Sequence, residues 1–242
     1  MYIKIYKELS EINNKEKTLS NQNLINYFFY KISNFITPIF IILRFSPNLI
    51  TILNFCIGIF SCLLIMFNQN YLVYGIIVFF IFRIFDCVDG SIARYEKKTF
   101  FGKFLDATFD AIIHPLFFIS IAFYFFNFSE NKNLLIFGVF SSLLFLVEIL
   151  ILDKFGSLVR WCNEQNSNDH PPYIRRKNFY RLNLILRDLI FLGLIFLMFL
   201  NEYSLLFGSI YIAINCCLLL SAIFNISMHV FFAKKYLNFE KK

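Results

Sequence analysis

Six long apolar stretches constrain this chain more than any other feature, because an α-helix needs roughly 20 apolar residues to cross a bilayer. They cover residues 48–67, 70–90, 101–126, 133–155, 182–200 and 204–232. Hydrophobic residues make up 58% of the 242 positions and charged residues only 16%, which is more apolar surface than a soluble domain can bury. The sequence therefore predicts an all-α integral membrane protein with six transmembrane helices.

The N-terminal part differs from these stretches. Residues 1–23 are polar and lack the apolar core of a secretory signal. Residues 24–45 are rich in Phe, Ile and Tyr but are interrupted by Lys31, Asn34 and Pro38, which favours an amphipathic helix at the membrane surface. A short buried helix is the alternative. The predicted domains are a cytoplasmic N-terminal segment with the interfacial helix (1–45), a six-helix membrane domain (46–233) and a cytoplasmic basic tail (234–242).

The basic residues predict the orientation. With the N-terminus inside, all but one of the 23 Lys and Arg residues fall on the cytoplasmic side, and Lys132 is the exception. An even number of spans places both termini in the cytoplasm, and we expect the protein in a bacterial inner membrane. Orientation and attraction to anionic membrane lipids account for the net charge of +7, so no nucleic-acid partner is predicted.

Four carboxylates interrupt the apolar sequence in the pattern D-x2-D-G-x2-A-R-x7-G-x3-D-x3-D. Asp86 and Asp89 are three residues apart and Asp106 and Asp110 are four apart, so each pair shares one face of a helix. Two opposed faces of this kind would form a cage for Mg²⁺ or Mn²⁺, since these cations prefer oxygen ligands. This predicts phosphate chemistry on the cytoplasmic side. Acidic residues that merely cluster near water are the alternative.

The pattern resembles the signature of the CDP-alcohol phosphotransferase family of integral membrane enzymes. Seven residues separate Arg94 from Gly102, where many members have eight. The resemblance implies transfer of a phosphoryl-bearing group from a CDP-linked lipid or alcohol to a hydroxyl, with release of CMP, and it implies a homodimer. It also implies that Asp86, Asp89 and Asp106 bind metal, that Asp110 is a further ligand or a neighbour of the metal, and that Asp110 is the base that deprotonates the attacking hydroxyl.

Nucleotide contacts are expected beside the carboxylates. Gly90, Ala93 and Gly102 are small where a nucleotide passes close to the helix backbone, although small residues also permit helix packing. Arg94 either contacts a phosphate or pairs with a carboxylate of the cage.

The start of the first span adds two candidates. Ser46 and Pro47 predict a helix start, and family members commonly begin this span with a similar Pro-Asn-x-x-Thr run. By that resemblance Asn48 and Thr51 approach the nucleotide, whereas by structure alone they belong to a helix cap.

The acceptor site is the least constrained. A polar loop predicted at 156–181 carries Arg175 and Arg176, which either capture a phosphate of the second substrate or only set the topology. His114 follows Asp110 by four residues and either orients it, touches the acceptor, or packs inside the bundle.

Three functions compete. The leading hypothesis is transfer of a phosphatidyl group from CDP-diacylglycerol to a small polar alcohol. A second is transfer of a phospho-alcohol from a soluble CDP-alcohol to a lipid hydroxyl. A six-helix membrane carrier is a third, although no paired broken helices mark two related halves.

Overall fold

The computed structural model describes residues 1–15, 24–67, 69–96, 99–129 and 132–165, together with scattered positions between 216 and 231. All regular structure within these residues is helical, as predicted. The chain divides into two compact units, residues 1–128 and 129–242, each of which is described by itself.

Five α-helices and a short 3₁₀ turn are described in the first unit. They are α1 (Tyr2–Lys15), α2 (Leu24–Ile42), α3 (Pro47–Phe67), the 3₁₀ turn (Gln69–Tyr71), α4 (Leu72–Tyr95) and α5 (Phe100–Ser129), which ends one residue past the boundary. In the second unit, α6 spans Lys132–Gln165.

Four predicted spans correspond to α3–α6, with one correction. Helix α6 continues to Gln165, so the polar loop predicted from residue 156 begins later. The helix persists there because residues 156–165 contain no proline and only one glycine, and isolated polar residues do not end a helix. The predicted spans 182–200 and 204–232 lie outside the continuously described residues, so the count of six spans is still a prediction.

The turn between α2 and α3 has defined caps. Arg44 has a positive φ of 58°, and the Phe45 N–H donates to the Phe40 carbonyl while the Arg44 N–H donates to that of Ile41. This pair of hydrogen bonds is the Schellman pattern that ends a helix. Ser46 then caps α3, since its hydroxyl accepts from the Leu49 N–H at 3.3 Å. The predicted helix start at Pro47 is confirmed.

Helices α3 and α4 approach closely because small residues line their contact. The Ser61 hydroxyl donates to the Gly75 carbonyl at 2.8 Å, and a Cβ at Gly75 would lie 2.5 Å from the Ile65 side chain. Small residues allow this approach between helices in lipid, where apolar surfaces gain little from meeting each other.

Helix α5 packs on this pair through aromatic rings. Phe55 stacks on Phe109 with ring centroids 4.2 Å apart, and Phe79 stacks on Phe117 at 3.6 Å. These two contacts join α5 to α3 and to α4.

Two of the described helical segments, Pro47–Phe67 and Phe100–Asn127, are long and apolar enough to cross a membrane by length and composition. Helix α2 continues through Pro38 and packs against α1 and α4 with Phe29, Ser33 and Thr37 buried. Its expected place at the membrane surface remains a prediction.

Candidate active site and metal centre

Three carboxylates from two helices converge at the end of the helix pair α4–α5. Asp86 of α4 and Asp106 and Asp110 of α5 each offer an oxygen, and the three oxygens lie within 4.8 Å of one another. The four-residue spacing places Asp106 and Asp110 on one face of α5, as expected. Oxygen donors this close, on partly buried side chains, fit a hard divalent cation.

Asp89, the fourth predicted ligand, lies outside this group of three. Its carboxylate is buried, with 5% of the residue exposed, and its Oδ2 accepts a hydrogen bond of 2.8 Å from the Thr51 hydroxyl. Thr51 also lies 3.0 Å from the Pro47 carbonyl oxygen. The hydrogen bond between Thr51 and Asp89 therefore links the start of α3 to the acidic segment of α4. A metal role for Asp89 remains a prediction.

Two nitrogen-bearing side chains flank the three carboxylates. Arg83 donates to Asp86 at 3.2 Å, and both side chains are mostly buried at 16% and 20% exposed. His114 Nε2 lies 3.9 Å from Asp110 Oδ1, one turn along α5, and its ring meets Phe82 edge-on at 6.2 Å. His114 is therefore near Asp110, as predicted, and it also packs inside the bundle.

A cavity of about 370 Å³ adjoins this centre. Six residues expected at the nucleotide line its wall: Asn48, Thr51, Gly90, Ala93, Arg94 and Gly102. Asp89 and Asp106 line it as well, so the carboxylate segment and the cavity are continuous. Pyrophosphate oxygens held in such a cavity would lie next to the predicted metal ligands.

Two glycines keep this cavity open. A Cβ at Gly102 would lie 2.8 Å from Asn48 Oδ1 and 3.0 Å from Thr99 Oγ1, so only glycine fits between them without a shift. A Cβ at Gly90 would lie 3.4 Å from the Arg94 guanidinium, an ordinary contact. A side chain at position 102 would thus displace the Asn48 or Thr99 side chain, whereas one at position 90 would fit in ordinary contact with Arg94.

Sequence reasoning missed several residues at this site. Thr99, Phe100 and Lys103 line the cavity from the start of α5, and the Thr99 hydroxyl caps that helix by accepting from the Gly102 N–H at 3.0 Å. A threonine three residues before Gly102, where a helix begins, was a readable capping signal.

Asn54 is a second omission, buried on α3 with 4% exposed. When its amide is oriented to satisfy both polar atoms, the nitrogen donates to the Phe82 carbonyl at 2.9 Å and the oxygen accepts from the Asp86 N–H at 3.3 Å. Asn54 thereby holds the backbone from which Asp86 projects. A lone asparagine in an apolar run was the only signal available.

The predicted acceptor residues Arg175 and Arg176 lie outside the described residues.

Comparison with known proteins identifies the chain. The family model for CDP-alcohol phosphatidyltransferase matches residues 44–238. The chain belongs to the CDP-alcohol phosphatidyltransferase family. The predicted family is confirmed, and together with the two apolar helices it makes this a membrane-associated protein.

Individual proteins that resemble this member of the CDP-alcohol phosphatidyltransferase family share between 19% and 33% of the aligned residues with it. A "Bifunctional IPC transferase and DIPP synthase" of Aquifex aeolicus is 33% identical over 93 residues, which are 38% of this chain and 21% of that protein. The chain thus matches about a fifth of the length of this curated relative.

Two crystal structures of phosphatidylinositol phosphate synthase (PgsA1) from Mycobacterium tuberculosis share the fold. The one with CDP-DAG bound is 19% identical, with a TM-score of 0.55, and the match covers 82% of this chain and 94% of that one. The complex with manganese and citrate is 21% identical, with a TM-score of 0.51, covering 79% and 87%.

Proposed function

We propose that this protein transfers a phosphatidyl group from CDP-diacylglycerol to the hydroxyl of a small polar alcohol and releases CMP, with a divalent metal as cofactor. One observation carries the proposal: three converging carboxylates adjoin a cavity lined by all six residues expected at the nucleotide. Membership of the CDP-alcohol phosphatidyltransferase family supports the same reaction.

The metal site of the proposal consists of Asp86, Asp106 and Asp110, whose oxygens lie within 4.8 Å of one another, with Asp89 as the predicted fourth ligand. A bound divalent cation would neutralise charge on the pyrophosphate of the donor. Either Mg²⁺ or Mn²⁺ suits an all-oxygen site, and the related synthase has been crystallised with manganese.

The cavity supplies positive charge for the donor phosphates. Arg94 and Lys103 both line it, and guanidinium and ammonium groups bind phosphate oxygens through charge-assisted hydrogen bonds. Asn48 and Thr99, which meet at Gly102, add neutral polar groups. These side chains would hold the nucleotide so that its pyrophosphate reaches the carboxylates.

The chemical step exchanges one P–O bond for another. The acceptor oxygen forms a bond to the phosphorus that carries the diacylglycerol, and the bond from that phosphorus to the bridging oxygen breaks, so the electron pair leaves with CMP. The hydroxyl proton goes to a carboxylate, and we assign this role to Asp110. A positioned general base of this kind is worth about 10² to 10⁴ in rate.

A lipid-linked donor suits the mouth of the cavity. Phe100 lines the cavity and is 97% exposed, and Phe101 and Phe104 nearby are 61% and 64% exposed. Aromatic surface beside a polar cavity at the start of an apolar helix can accommodate acyl chains while the nucleotide remains in the polar part. The PgsA1 structure with CDP-DAG bound is consistent with this donor.

The proposal includes the predicted membrane arrangement. Six spans, an interfacial helix before them, cytoplasmic termini in a bacterial inner membrane, and a homodimer all follow from the sequence pattern and the family resemblance. They place the active site on the side where CDP-linked substrates and polar alcohols are available.

Purified full-length protein incubated with radiolabelled CDP-diacylglycerol, Mg²⁺ or Mn²⁺, and a panel of alcohols tests the proposal. We expect CMP and a new phospholipid, with no turnover in excess chelator. A parallel reaction with a soluble CDP-alcohol and diacylglycerol tests the opposite direction of transfer. CMP release only in that second reaction would replace the proposed donor, and no CMP in either would exclude a transferase and favour the carrier.

A further inference from the structure

Helix α1 lies outside residues 44–238, which the family model matches, yet it contacts an arginine of the cavity. Asn13 Oδ1 accepts a hydrogen bond of 2.8 Å from Arg94 Nε. Tyr95 beside it donates to Glu8 of α1 at 3.1 Å. The N-terminal helix is thus joined to the end of α4 at two consecutive residues.

Asn13 is built into the protein rather than resting on its surface. Ile5, Leu9 and Asn13 recur every four residues on one face of α1, and they are 5%, 0% and 0% exposed. The Asn13 amide nitrogen donates to Asn34 Oδ1 of α2 at 2.6 Å. Since Arg94 Nε is a donor only, the Asn13 oxygen must face it, and the contact with Asn34 fixes that orientation.

Arg94 has further contacts that define its position. Its Nη2 donates to the Ser91 hydroxyl at 3.1 Å, and its guanidinium carbon lies 5.8 Å from the centre of the Tyr30 ring. The same guanidinium borders the space at Gly90 and lines the cavity. A long side chain that is free in solution is therefore held in one place before any substrate arrives.

We propose that Asn13 is a positioning residue that holds Arg94 in the orientation that binds the phosphates of the CDP-linked donor; this inference rests on the proposed function. An arginine already held in its bound orientation loses less side-chain freedom when the phosphate binds. Helix α1 is then a functional part of the donor site, contributed by a segment that the family model does not include.

Asn13→Ala tests this in the full-length protein, with two measurements: binding of CDP in the presence of Mn²⁺ by equilibrium dialysis, and KM and kcat with CDP-diacylglycerol. We expect the Kd for CDP and the KM to rise about 3- to 10-fold, the range for loss of one typical hydrogen bond, because Arg94 keeps its other contacts, with kcat changed less than about twofold. Tyr2→Phe is the matched control, because it removes an α1–α2 hydrogen bond, from Tyr2 to the Phe35 carbonyl at 2.6 Å, without touching Arg94.

Asn34→Ala is the second variant, for the case that Asn13→Ala does not fold. It removes the contact that orients the Asn13 amide, so we expect a smaller rise in Kd in the same direction. In an Arg94→Lys background, which lacks the Nε donor, Asn13→Ala should raise the Kd little further.

The outcomes separate the two proposals. Equal effects of Asn13→Ala and Tyr2→Phe, or an unchanged Kd in both asparagine variants, would overturn the role of Asn13 while CMP release by the parent protein still supports the transferase. A parent protein that neither binds CDP nor releases CMP would overturn both.

Discussion

At the scale of single residues, Asp110 is the side chain for which two roles are most readily separated. It lies within the group of three carboxylates and 3.9 Å from His114. If it is the general base, Asp110→Asn keeps one oxygen for the metal but removes the proton acceptor, so kcat should fall about 10²- to 10⁴-fold. Binding of CDP should change much less, as equilibrium dialysis would show.

Asp106→Asn is the matched comparison, because Asp106 belongs to the same group and also lines the cavity. Both variants are titrated with Mn²⁺. Recovery of Asp110→Asn to near the parent rate at high Mn²⁺ would show that Asp110 only binds metal, and another group such as His114 would then take the proton.

The sequence predicted part of this site for a simple physical reason. Spacings of three and four residues place side chains on one helix face, so Asp106 and Asp110 were expected together and lie together. The bond from Thr51 to Asp89 joins residues 38 positions apart, and it depends on how far α4 is displaced along α3. No local spacing encodes that displacement, so the contact between Thr51 and Asp89 could not be foreseen, and the metal role of Asp89 stays a prediction.

At the scale of helices, two glycines allow packing and substrate binding to be tested separately. A Cβ at Gly75 would lie 2.5 Å from Ile65 and 3.1 Å from its backbone nitrogen, at the α3–α4 contact, whereas one at Gly102 would meet Asn48 and Thr99 at the cavity. Gly75→Ala should lower the free energy of unfolding by about 1–3 kcal/mol, as overpacking does, with little change in KM. Gly102→Ala should mainly raise the KM for CDP-diacylglycerol, because Asn48 must move.

Thermal unfolding in detergent and initial rates measure the two effects. Each variant is the control for the other. If Gly75→Ala raised the KM as much as Gly102→Ala did, Gly102 would have no specific role at the cavity.

The buried face of helix α1 could have been predicted from the sequence in part. Residues 1–15 looked like a polar segment because Lys, Glu and Asn dominate them, yet Ile5 and Leu9 are four residues apart and mark a buried face. The third member of that face is polar, so hydrophobicity alone could not reveal it. Asn13 is buried because Asn34 and Arg94 satisfy its amide, and those partners are known only from the structure.

At the scale of the whole molecule, the distribution of charge predicts the topology. Lys132 is the one basic residue expected outside the cell membrane. A cysteine introduced at Lys132 should therefore react with a membrane-impermeant thiol reagent added to intact cells, whereas one introduced at Glu96, exposed after the end of α4, should react only after lysis. The parent protein without the added cysteine measures background labelling. The reverse pattern would place the carboxylates away from cytoplasmic CDP-linked substrates.

The positions of the long helices could be predicted because the length of an apolar stretch determines whether it can span a membrane. Four predicted spans correspond to observed helices, because an apolar run of about 20 residues has few other ways to satisfy its backbone in lipid. The ends of these helices were less predictable: α4 continues to Tyr95 and α6 to Gln165, through charged residues that hydropathy treats as boundaries. In α4 that extension carries Arg94 on the same helix as Asp86.

The contact between Asn13 and Arg94 has a consequence for biosynthesis. The two residues are 81 positions apart, and the buried face of α1 packs on α2 and α4. The ribosome therefore releases α1 well before its partners on α4 exist, and closing so large a loop costs entropy that later packing must offset. Helix α1 can pack on α2 as soon as both have been synthesised, whereas its bonds to Arg94 and Tyr95, and with them the donor site, form only after α4 has been made.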